Sequence, residues 1–167
     1  MKYFTMNEFI RSDEAKKRNI DNTPTDYQKR NVIMLVENLL DPLREAWAEY
    51  CTRWHLGSPA IIVTSGIRCE ALNKAIGGSK TSAHYHGWAA DLVPKNGNLK
   101  EFKKFCIEWL FDKSFDQFIS ENEDKNNVPE WIHIGYKNGS GKQRHQFMYM
   151  KNNKYYYLTD LLSGDYM

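Results

Sequence analysis

The sequence predicts an α+β fold: a small antiparallel sheet flanked by helices. Three observations predict it. Apolar residues from Asp26 to about Trp54 recur at three- and four-residue steps, the period of an amphipathic helix. Short β-branched and aromatic runs appear from residue 60 onward and dominate the last third. The order is helices, a mixed centre, then strands, which suits a sheet covered by helices.

Each element follows in turn. Tyr3, Phe4, Phe9 and Ile10 lie in a polar, charged stretch, so residues 1–25 are expected to be an N-terminal arm packed on the rest. The helix carries Ile33, Val36, Leu40, Leu43, Trp47 and Tyr50; Thr25 or Asp26 caps its start, and Pro42 kinks or splits it near Asp41. "AIIVTSG" (60–66) is a buried strand ended by a turn. "CEALNKAI" is a short helix stopped by Gly77-Gly78. "WAADLV" is a strand, and Asn98 with Glu101 resembles a capping box opening a helix with Leu99, Phe102, Cys106, Trp109 and Leu110 on one face. "FDQFIS", "WIHIGY", "HQFMYM" and "KYYYLT" complete the sheet, with Tyr155, Tyr156 and Tyr157 on a strand partly covered on both faces.

Composition narrows the function. A chain of 167 residues suits one domain, 1–167, with one core. The 23 Lys+Arg nearly cancel the 21 Asp+Glu, which argues against a nucleic-acid binder and its clustered basic face. No apolar run approaches the ~20 residues of a membrane span. The first twenty residues lack an apolar core with a small-residue cleavage site, so no signal peptide is expected, and synthesis is expected in the cytoplasm. Three cysteines, Cys51, Cys69 and Cys106, are odd in number and far apart, so buried free thiols are expected rather than disulfides or a zinc finger.

The chemistry concentrates in "SAHYHGWAADL" (82–92). A loop carrying His84 turns at Gly87 and enters a strand on which Ala89, Asp91 and Val93 share one face. A carboxylate among such small and apolar neighbours needs a cation, either a metal ion or an arginine. A catalytic zinc takes three protein ligands and keeps a position open. His84 and Asp91 supply two, and His133, mid-strand in "PEWIHIGY", is the candidate third. Glu130, just after Pro129 at the entrance of that strand, is the candidate general base, able to take a proton from water and hand it to a leaving amine.

These residues carry a resemblance. "SAHYHGWAAD" is similar to the Ser-x-His-x-x-Gly-x-Ala-x-Asp signature of the M15 zinc peptidases, "EWIHI" to their Glu/Asp-x-x-His element, and "TSGIRCEALN" to the segment before the signature. With "IDNTP", "LLDPLREAW" and "FDQFI", the resemblance runs from about Tyr3 to His145 and looks closest to the short single-domain members found in phage and bacterial genomes. It implies a fold like the D-Ala-D-Ala carboxypeptidases and the hedgehog signalling domain. It implies a monomeric zinc peptidase acting on peptidoglycan stem peptides, as carboxypeptidase or endopeptidase, released to the cell wall as a phage endolysin would be. It implies His84, Asp91 and His133 as zinc ligands, Glu130 as base, Arg68 as the group holding a substrate carboxylate or polarising the scissile carbonyl, and Ser82 as a supporting residue. Position 67 is Ile where the family often has Tyr, and Glu121, ending "FDQFISE", competes with Glu130 for the role of base.

Two readings compete with a peptidase. A binding module of the same fold would keep the metal and be free to lose the acid and Arg68. A cysteine hydrolase would need a histidine partner for one of the thiols, and Cys69 at a helix start is the nearest candidate.

Overall fold

A computed structural model describes residues 1–158. The arm contains two short helices, α1 (Met6–Ile10) and α2 (Asp13–Lys17). Phe4 and Phe9 are buried in the core and hold it down, whereas Tyr3 is exposed. Buried Asp41 accepts the backbone N–H groups of Lys2 at 2.6 Å and Tyr3 at 3.0 Å, a second anchor.

The long helical pattern is split as Pro42 requires. Helix α3 (Asp26–Leu35) starts at Thr25, whose hydroxyl accepts from the Gln28 N–H while the Gln28 side chain returns to the Thr25 N–H. A π-helical turn, Val36–Leu40, follows, closed by Asp41 N–H on Val36 O. Pro42 has no N–H to continue the ladder, so the register widens before it, and α4 (Asp41–Trp54) begins with the proline in its first turn. His55 ends α4 in the left-handed region at φ 52°.

The remaining elements are β1 (Ile61–Ser65), α5 (Glu70–Ala75), β2 (Ala89–Pro94), α6 (Leu99–Leu110), β3 (Gln117–Glu121), β4 (Trp131–Gly135), β5 (Gln146–Lys151) and β6 (Lys154–Tyr157). They form one six-stranded sheet in the order β1-β2-β4-β3-β5-β6. The sheet is mostly antiparallel, with one exception to the expected pattern: β5 joins β3 in parallel. That pairing needs a crossover, and the segment from β4 to β5 around residues 136–145 provides it.

Strand alternation gives the sheet two different faces. Val63, Ala90, Leu92, Phe118, Ile132, Ile134 and Phe147 are buried in the core with α3, α4 and α6. Trp47 is central there: Tyr50 stacks on it at 5.5 Å, and Phe102 and Phe105 meet it at 5.0 and 5.1 Å. The opposite face presents Asp91, His133, Ile119 and Glu121 to a cleft.

Two details differ from expectation, and a third lies outside what the structure describes. Asn98 precedes α6 but makes no side-chain cap; it donates to Leu56 O, and Glu101 accepts from the Tyr50 hydroxyl, so tertiary partners displace the capping box. Tyr155, Tyr156 and Tyr157 are all more than a third exposed on the edge strand β6, although Tyr155 also lines the cleft and bonds Glu121. Thr159, the last residue of the expected "KYYYLT" strand, lies outside the described residues. One feature had no sequence signal: Lys103 of α6 is buried and donates to Glu123 at 2.5 Å and to Asn127 O at 3.1 Å, while Ser120 donates to the same Glu123 oxygen at 2.6 Å.

Candidate metal centre and its cleft

Sheet register alone brings two of the candidate residues together. Asp91 on β2 and His133 on β4 are direct antiparallel partners, so both side chains stand on the cleft face, and the His133 Nδ1–Asp91 Oδ1 distance is 2.9 Å. His84 arrives from the loop before β2, its Nε2 lying 3.2 Å from Asp91 Oδ1 and 3.1 Å from His133 Nδ1. All three residues are buried, and their ligand atoms lie within 4.8 Å of one another.

The loop reaches this position because two amide side chains from the first third of the chain brace it, and a third braces the adjoining 67–69 segment. Buried Gln28 donates to Tyr85 O at 2.6 Å and Arg68 O at 3.3 Å. Asn31 donates to His86 O at 2.7 Å. Asn22 donates to Ile67 O at 2.9 Å and accepts from the Cys69 N–H at 2.8 Å. Gly87 passes over α3 at φ +75°, where a Cβ would stand 2.7 Å from Gln28 O, so both the backbone angle and the close approach demand glycine.

The donor set fits a metal ion. His84 Nδ1 lies 2.7 Å from Gly66 O. A carbonyl only accepts, so Nδ1 carries the proton and Nε2 of the neutral ring presents a lone pair. Burial pushes the His84 imidazole down, which favours that neutral ring. Burial alone would raise Asp91, but interaction with the His84 and His133 rings outweighs it and holds the carboxyl well below the usual carboxylate range. A lone pair and a carboxylate oxygen 3.2 Å apart need a cation or a proton between them. Two imidazole nitrogens and a carboxylate oxygen are the ligand types of a zinc site with an open position.

Arg68 lines the same cleft, its guanidinium 4.0 Å from Asp91 Oδ2. It lies farther from Asp91 than the nitrogens of His84 and His133 do. Burial pushes the guanidinium down, opposed by the charges of Asp91 and Glu121. Ser82 lines the cleft as well.

The two candidate acids separate clearly. Glu130 is exposed, donates its N–H to Glu121 O at 2.9 Å and accepts from Asn122 at 3.1 Å. β4 begins only at Trp131, the Glu130 N–H bond falls outside the β3–β4 register, and Glu130 is not among the residues that line the cleft. Glu121 is the acid on the cleft face, register partner of Trp131. It is buried, and among the described residues its Oε2 has no hydrogen-bond partner. Burial raises its pKa and Asp91 adds to the rise, against His133, a hydrogen bond from Tyr155, and Arg68.

The thiols take no part in the cleft. Burial pushes the Cys51 and Cys106 thiols up, the reverse of what a nucleophile needs, and the Cys69 sulfur accepts from Leu72 N–H at the start of α5. His86 and His145 are likewise outside the cleft lining. Sequence reasoning missed Asn22, Gln28 and Asn31 because lone amides have no pattern, although "IDNTP" contains Asn22. It also missed Asp116 and Arg144, which line the cleft. No helix of the described residues is long and apolar enough to cross a membrane.

The family model described as Peptidase M15 matches residues 2–134. No curated protein matches the chain in sequence.

Proposed function

Because the chain belongs to the M15 peptidase family, we propose that it is a zinc-dependent peptidase that hydrolyses peptide bonds in the stem peptides of peptidoglycan, working as a monomer with residues 1–167 as one unit. The observation that carries this reading is the buried convergence of His84, Asp91 and His133 in a cleft that Glu121 and Arg68 also line. The cleft, about 540 Å³, has room for a short peptide.

In this reading His84, Asp91 and His133 hold the ion, with the Gly66 carbonyl fixing the His84 tautomer. Zinc supplies Lewis acidity there, lowering the pKa of water and polarising a carbonyl. Glu121 takes the proton from the attacking water and delivers it to the leaving amine, a role that its burial on the cleft face near His133 suits. Arg68 offers its guanidinium to the carbonyl oxygen as negative charge develops. Its carboxyl-terminal or internal site of cutting decides whether the enzyme is a carboxypeptidase or an endopeptidase.

The test is digestion of purified peptidoglycan by the zinc-loaded protein, with fragments identified by mass spectrometry. Cleavage within stem peptides is expected; intact stems, or cuts confined to glycan, would refute the reading. Arg68→Ala is expected to lower kcat/KM by about 10²-fold, the scale for one oxyanion donor, with little change in Tm. A variant that melts much earlier, or keeps full activity, would show that Arg68 is structural.

A further inference from the structure

The cleft contains a second arginine that this chemistry does not use. Arg144 follows the crossover from β4 and lines the cleft with Asn138, Gln117 and Asp116. Asp116 is 0% exposed and takes two parallel bonds from Arg144, from Nε and from Nη2, each 2.7 Å. It also accepts from the Arg144 backbone N–H at 3.3 Å. One edge of the guanidinium is therefore locked. The hydrogen bonds seen among the described residues do not occupy its remaining donors, and the side chain is 39% exposed.

A guanidinium has two fork-shaped edges that match a carboxylate. With one edge held by a buried acid, the other is oriented in advance, so little side-chain entropy is lost when a second anion binds. Asp116 stands just before β3, and its place along the chain sets its distance from the reacting centre. Ile119 is the register partner of His133, and Asp116 lies three residues before it, about 10 Å away at 3.3 Å per residue. Glu121 lies in the other direction along the same strand.

We infer that Arg144 anchors a substrate carboxylate about three residues of extended chain from the bond that is cut, and that Asp116 is the positioning residue that holds its fork. This rests on the stem-peptide reading above. The carboxylate is either the free α-carboxylate of a D-glutamyl residue or the terminal carboxylate of the peptide.

Binding rather than turnover tests it. Full-length Glu121→Gln protein is titrated by calorimetry with three synthetic stem tetrapeptides: one with both carboxylates free, one amidated at the D-glutamyl α-carboxylate, one amidated at the C-terminus. One amidation is expected to weaken binding by about tenfold or more, the scale of a charge-assisted hydrogen bond, and its position identifies the group. In the Arg144→Lys background, which keeps the charge and loses the fork, that difference shrinks several-fold while Tm stays near that of the parent. Equal binding of all three peptides overturns the inference alone. An acid-over-amide preference undiminished by Arg144→Lys also overturns it, because the carboxylate is then held elsewhere. Failure of all three to bind overturns the stem-peptide reading and this inference with it.

Discussion

Glu121→Gln is expected to lower kcat/KM by about 10²–10⁴-fold, the range for losing a general acid–base, while Glu130→Gln leaves it nearly unchanged. Both substitutions remove one charge and preserve size, so the pair isolates position. Glu121 stands on the cleft face two residues beyond Ile119, the partner of His133, whereas Glu130 is exposed and bonded to Asn122. Glutamine cannot accept the proton of water. Nor should it destabilise the fold, because burial already disfavours the charged form of Glu121. The pH dependence has a definite sign. The active form is the carboxylate, so kcat/KM falls as pH decreases through its titration, which burial pushes upward and a bound cation pushes downward. Loss of activity in Glu130→Gln with retention in Glu121→Gln would return the role to Glu130.

Lys103→Met is expected to lower the free energy of unfolding by about 3–5 kcal/mol, read from a denaturant melt. The chain has many ion pairs, but most resemble Lys16–Asp13, exposed on both sides and worth under about 1 kcal/mol. Lys103 and Glu123 are different, with side chains 5% and 3% exposed. Removing the lysine leaves a carboxylate uncompensated in the interior, with only the Ser120 hydroxyl left to it. Lys103→Met combined with Glu123→Leu should recover much of the loss, since a buried pair replaced by apolar groups is often nearly neutral. The pair also secures the turn just after Glu121, where the Glu123 N–H reaches Met150 O at 2.9 Å. A single variant within about 0.5 kcal/mol of the wild type would show that the ion pair holds nothing.

Where one local rule governs an element, the sequence made it legible. Pro42 announces the break near Asp41 because a missing N–H must interrupt the ladder. "SAHYHGWAAD" announces the juxtaposition of His84 and Asp91 because a glycine turn feeds a strand. His133 was legible by residue type and strand placement, and the register then set it opposite Asp91. What stayed hidden depends on long-range contacts. Asn98 looks like a cap until Leu56 O offers it another partner. Lys103 reads as surface charge because its partner lies twenty residues away across the core boundary. Glu130 seemed able to turn toward the metal side, but it is exposed, bonded to Asn122 and outside the cleft lining. Asp116 and Arg144 carry no motif, and only the crossover to parallel β5 brings them together.

The measurement that bears most directly on the whole account is zinc content after exhaustive dialysis, by elemental analysis of the wild type and of His133→Ala. One zinc per chain in the wild type, with loss of most of it in His133→Ala at unchanged secondary structure, is the expected result. No zinc in the wild type, or a full complement retained by His133→Ala, would contradict it.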